Sequence, residues 1–168
     1  MPGYMIHLAV GSVYLQENEI KDIENFNKGI IAPDMIRDKT KSHYGPNSSN
    51  PGLNNFVELN GISSNYNEGY FLHLLTDYLF YNKFLKRWDS NIYNDYDKSN
   101  EKIKEKYKII IPKEIEDIVH FRTGRLEVLN EEELYRFIEC VGKINVREII
   151  TKNNIDYENE IKQLELDI

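Results

Sequence analysis

Gly69-Tyr70-Phe71-Leu72-His73-Leu74-Leu75-Thr76-Asp77-Tyr78-Leu79-Phe80-Tyr81 is the longest strongly apolar run of the chain, and it carries two polar residues of metal-binding type. After Gly69 no Pro or Gly interrupts it, so residues 70–85 are predicted to form a buried helix. His73 and Asp77 are four apart, which on a helix stacks them one turn above the other on one face. An imidazole and a carboxylate buried among Leu and Phe are costly unless both are satisfied. A metal ion satisfies both, and so does a direct His–Asp hydrogen bond.

The rest of the chain bounds the setting of that helix. Its 168 residues suit one domain, residues 1–168, with a real hydrophobic core. Apolar residues make up 40% and charged residues 29%, within the globular range. A net charge of −7 argues against a broad basic surface for extended duplex nucleic acid, while leaving room for a local basic pocket. The single Cys140 excludes an intramolecular disulfide and any cysteine-rich zinc site, and its amphipathic surroundings predict a small core residue. The first residues lack a basic stretch followed by a long apolar one, and no run of about 18 apolar residues occurs. A cytoplasmic protein without a transmembrane segment is expected.

In chain order, residues 4–16 predict a helix that contains His7, and residues 19–27 a short amphipathic helix stopped by Gly29. Gly29-Ile30-Ile31-Ala32-Pro33-Asp34 then places Asp34 at a turn, because Pro disfavours helix for the residue before it. Residues 38–55 read as a polar loop that His43 opens, with a helical turn or short strand over Leu53–Leu59. The Asn/Asp/Tyr mixture at 88–97 reads as an exposed loop or lid, and Glu101–Tyr107 as a short helix. Further helices are expected near 113–120, 131–142 and 146–165. The fold class is therefore all-α, a single-domain helical bundle.

The chain has only four histidines: His7, His43, His73 and His120. His7, Asp34, His43, His73 and Asp77 together offer nitrogen and oxygen donors without thiolate, which favours zinc, manganese or iron. Five donors exceed one tetrahedral site with an open position and suit a two-metal centre with one carboxylate bridging and a water between the ions, so one or two ions are expected. His120 ends its predicted helix, where a histidine commonly meets the terminal carbonyls.

The order His7, then Gly29 with Pro33-Asp34, then His43, then Gly69-Tyr70 with His73 and Asp77 resembles the zinc-dependent phospholipase C family and its small cytosolic relatives. The Met1-Pro2 start ahead of a histidine in the first helix resembles them too, and the likeness spans about residues 1–85. It implies an all-helical fold with metals held between helices. It also implies that Asp34, His43, His73 and Asp77 surround one ion while His7 and Asp77 serve a second. Two positions depart from the family pattern. Tyr81 stands where members carry another histidine, and His120 is followed four residues on by Gly124 rather than by the glutamate of a third zinc site.

Two functions follow. One is a metal-dependent phosphoesterase acting on a small phosphorylated substrate. There Asp34 would ligate and accept the proton of an attacking water, and Arg37, Lys41, Arg122 and Arg125 are candidates for holding phosphate. The other is a non-enzymatic helical regulator, or a nucleotide- or partner-binding protein of phage type, with a structural or decayed metal site; Tyr81 favours it.

Overall fold

The computed structural model describes residues 3–152 and 157–166. Among them all regular structure is helical, apart from one isolated bridge between Asn47 and Asn50. Helix α1 (Tyr4–Glu17) is apolar on every side, with residues 5–11, Val13 and Tyr14 all buried. A helix with no polar face has to run through the middle of a fold, and α1 does so.

Helices α2 (Ile23–Met35) and α5 (Asn65–Leu79) pack beside α1 and run in the same direction as each other. Phe26 lies beside Gly69, Ile30 beside His73, and Asp34 beside His73 and Asp77. Their backbones approach closely at two glycines. A Cβ on Gly29 would overlap the Tyr66 carbonyl oxygen and stand 2.9 Å from the Tyr70 nitrogen. A Cβ on Gly69 would overlap the Phe26 carbonyl oxygen. Helix α1 runs the opposite way: His7 faces Asp34 and Asp77, Gly11 sits on Phe26 and Ile30, and Tyr14 stacks on Phe26.

Helix α6 (Ile92–Tyr107) and helix α7 (Glu131–Gly142) also pack on α1. Tyr96 sits on Gly3, the Ser12 hydroxyl donates to the Tyr107 carbonyl, and Gly142 meets Val13. Buried Asp95 on α6 accepts the backbone N–H groups of Glu127, Val128 and Leu129 at 2.7–3.1 Å and pins that segment. The short helices α3 (Lys39–His43), α4 (Leu53–Asn60), α8 (Val146–Lys152) and α9 (Tyr157–Lys162) lie around this frame. Asn54 on α4 and Glu158 on α9 exchange two backbone-to-side-chain hydrogen bonds, and Arg147 on α8 donates to Glu68 on α5 at 2.8 Å. No described helix is long and apolar enough to cross a membrane.

Several sequence expectations change. Gly29 does not stop α2; it is the residue that lets α2 touch α5, and the helix continues to Met35. Asp34 therefore sits in the last helical turn rather than at a loop turn, because α2 carries Pro33 inside it and runs on to Met35. The proline forgoes the bond to the Gly29 carbonyl and crowds it, a cost the packing of α2 on α5 outweighs. His43 closes α3 instead of opening a loop, and Leu53–Leu59 is helical. The expected lid at 88–97 is largely the start of α6, whose Ile92, Tyr96 and Ile103 form a buried stripe hidden among Asn and Asp. The helix expected at 113–120 shrinks to one tight turn at Lys113–Ile115. The segment beyond is tied to α6 instead, by Asn100 donating to the His120 carbonyl and Arg122 N–H donating to that of Asp97. The buried helix expected at 70–85 is α-helical to Leu79 and then opens into a π turn at Phe80–Phe84. The expected 146–165 helix is covered by α8 and α9, while residues 153–156 between them lie outside the described residues. Cys140 is half-buried beside the core rather than within it.

Candidate metal centre

Four helices bring the five donors together. α1 supplies His7 from a buried face, α2 supplies Asp34 from its last turn, α3 supplies His43 from its end, and α5 supplies His73 and Asp77. All five side chains are fully enclosed. Asp34, His43, His73 and Asp77 form a group in which one donor atom from each lies within 4.8 Å of all the others, and such a group can hold a metal ion.

The oxygens divide between two sets. Asp34 Oδ1 is 3.4 Å from His73 Nε2 and 3.7 Å from His43 Nε2. Asp77 Oδ2 is 3.3 Å from His73 Nε2 and 2.8 Å from His43 Nε2. The other two oxygens turn to His7: its Nε2 lies 3.0 Å from Asp77 Oδ1 and 3.9 Å from Asp34 Oδ2. Each carboxylate thus offers one oxygen to the His43–His73 pair and one to His7.

Hydrogen bonds from outside the cluster orient two of the rings. His73 Nδ1 donates to the Ile30 carbonyl at 2.6 Å, which leaves Nε2 to face the carboxylates. His43 Nδ1 is partnered by the Ser42 hydroxyl at 2.7 Å, and the Ser42 carbonyl accepts the Tyr70 hydroxyl. Metal-binding histidines characteristically commit the far ring nitrogen in this way. His7 stacks face to face on His73 with centroids 3.6 Å apart. Charging both rings would set two cations against each other. Burial and then the neighbouring His73 accordingly push the His7 pKa down. Burial also opposes charge on His73, but Asp34 and Asp77 outweigh it and raise that imidazole to about 10. Burial works against the Asp77 carboxylate, yet His73 and His7 hold it well below the usual range. Burial, followed by the Asp34 charge, pushes the Tyr4 phenol up to about 12.

The donor set fits a metal. His7 Nε2, both Asp34 oxygens, His73 Nε2 and Asp77 Oδ1 are buried without a hydrogen-bond partner, although each stands within 4 Å of at least one other of them. Atoms this close yet not aligned for hydrogen bonds are expected where donors aim at a common point. Donors held about 2.1 Å from one ion stand about 3.0–3.5 Å apart, close to several of the separations here. Two buried carboxylates also need positive charge that a stacked imidazole pair supplies poorly.

The phosphate candidates fall elsewhere. Arg37 and Lys41 are exposed, Arg122 is engaged with Asn94 and Asp97, and Arg125 lines a cavity of about 380 Å³ with Lys98 and Lys102. His120 is exposed on a different cavity, and Tyr81 carries a buried hydroxyl with no partner. Sequence reasoning missed Lys39. Its ammonium stands 4.0 Å from Asp34 Oδ1 and donates to the Asp34 and Ile36 carbonyls at 2.9 and 2.7 Å. A lysine five residues after Asp34, just past a helix end, was the available signal.

No protein-family model, curated protein or solved structure matches the chain. The class defined by fold and site is an all-helical protein with a buried His/Asp cluster able to hold a metal ion.

Proposed function

We propose that the protein is a metal-dependent phosphoesterase. The supporting observation is the division of the carboxylate oxygens, one of each facing His43 and His73 and one facing His7. That division suits two ions: Asp34, His43, His73 and Asp77 would hold the first, and His7 with Asp77 and Asp34 would hold the second. Zinc, manganese or iron bound there would polarise a phosphoryl oxygen and lower the pKa of water toward about 7. The chain's own residues set the stage. Ile30 and Ser42 lock the His73 and His43 rings, and the Gly29–Gly69 contact fixes α2 against α5; in this reading Asp34 would accept the proton of an attacking water. The choice of a phosphoric ester rests on the resemblance to the zinc-dependent phospholipase C family in the order of these residues.

A second reading is a structural ion in a non-enzymatic helical regulator. The complete enclosure of all five side chains favours it, as does Tyr81 in place of a histidine. Incubating the zinc-loaded chain with bis(4-nitrophenyl) phosphate separates the two. The enzyme reading expects hydrolysis that a chelator abolishes. A chain that binds zinc and melts later with it, yet turns over none of a panel of phosphomonoesters and phosphodiesters, is the structural case.

A further inference from the structure

Lys39 occupies a distinctive place. It is the first residue of α3, and among the described residues it is the lysine or arginine whose charged group lies within 4.0 Å of the five-donor cluster. Its side chain is 29% exposed, while the Asp34 side chain it faces is fully enclosed. The ammonium therefore stands between solvent and the buried carboxylates. Two of its three N–H donors are committed to the Asp34 and Ile36 carbonyls. Those bonds hold a flexible side chain in one position and leave one donor beside Asp34.

Charge indicates what that donor meets. Three neutral imidazoles and two carboxylates bring two negative charges to the centre. Two divalent ions would bring four positive ones, and Lys39 adds a fifth. Such a centre carries surplus positive charge, which a hydroxide and an oxyanion can balance. Without the ions, the carboxylates repel an anion and Lys39 is an ordinary helix-end contact.

Resting on the metal reading above, we infer that Lys39 is an oxyanion-binding residue at the rim of the metal centre, where its free N–H engages a non-bridging oxygen of a phosphate group. It is a binding and positioning residue, tethered by the end of the same helix that supplies Asp34. Lysine suits this as a point charge, and the interaction is a charge-assisted hydrogen bond.

The test uses the full chain, wild type, Lys39→Gln and Lys39→Arg, each loaded with zinc. Zinc per chain, melting temperature and the Kd for inorganic phosphate are measured on the same samples. Wild type is expected to bind phosphate only when zinc is present. Lys39→Gln should weaken that binding about tenfold to a hundredfold at unchanged zinc content, and Lys39→Arg should recover most of it. A merely structural lysine would move the melting temperature and leave the phosphate Kd alone, which overturns the inference. So does a zinc-loaded wild type that ignores phosphate, or a Lys39→Gln chain that loses its zinc. A wild type that takes up no zinc overturns the metal reading itself and this inference with it.

Discussion

Replacing Gly29 with alanine tests how the fold builds the site. Helix propensity alone favours the change by about 1 kcal/mol, since Gly is the poorer helix former. The structure gives the opposite sign. The new Cβ would overlap the Tyr66 carbonyl oxygen, with the Tyr66 carbonyl carbon at 3.0 Å and the Tyr70 nitrogen at 2.9 Å, whereas ordinary contact begins at 3.4 Å. All three atoms are backbone, so no rotamer change relieves the clash, and α2 must back away from α5. Overpacking of this kind costs about 3 kcal/mol. After the propensity gain, about 2 kcal/mol is lost, which lowers Tm by about 4–8 °C for a chain of this size. The same movement opens the 3.4 Å gap between Asp34 and His73. Zinc affinity should then fall about tenfold or more. Thermal melts with and without zinc, and titration against a chelator of known affinity, read both quantities. A Gly29→Ala chain that melts at or above the wild-type temperature with its zinc affinity intact would refute the backbone contact and its role in placing Asp34.

Zinc binding near pH 8 should release a proton, because His73 holds one in the metal-free chain, with its pKa raised from 6.5 to about 10, and its Nδ1–H is committed to Ile30. Calorimetry in buffers of different ionisation enthalpy measures this; affinity should rise with pH in that window, and binding without proton release contradicts it. In the metal-free chain the raised His73 pKa adds stability that is fully present below 6.5 and lost as pH rises through about 10. Alkaline melting curves check that, and a flat profile counts against it. Asp95→Asn removes the charge that gathers the Glu127, Val128 and Leu129 N–H groups. It should cost about 2–3 kcal/mol, or about 5–10 °C in Tm, with zinc binding unchanged; parallel loss of zinc would tie that segment to the centre.

The all-helical class was legible because residues 70–85 form a long apolar run unbroken by Pro or Gly, residues 131–142 repeat with helical period, and no βαβ alternation occurs. The meeting of His7, Asp34, His43, His73 and Asp77 was legible from donor chemistry and order. What failed were local rules overridden by packing. Gly29 reads as a helix stop until its backbone contact with α5 is known, and Pro33 reads as a break although α2 continues through it to Met35. The buried stripe of α6 was masked because Asn, Asp and Lys fill the positions between Ile92, Tyr96 and Ile103. Lys39 escaped notice because its signal, a lysine just past a helix end, appears only once α2 is known to run on to Met35.

The central claim is that the five side chains hold metal. Asp77 lies nearest to being shared, with Oδ2 at 2.8 Å from His43 and Oδ1 at 3.0 Å from His7. The measurement is elemental mass spectrometry of the full chain, purified without a histidine tag and offered zinc, manganese and iron, beside Asp77→Asn treated in the same way. Wild type is predicted to retain one or two ions per chain, and Asp77→Asn to lose most of that occupancy while keeping its helical circular dichroism. A folded wild type that retains no metal, with Asp77→Asn altering only its melting temperature, would show that Asp77 merely pairs with histidines in a dry core and would contradict the account.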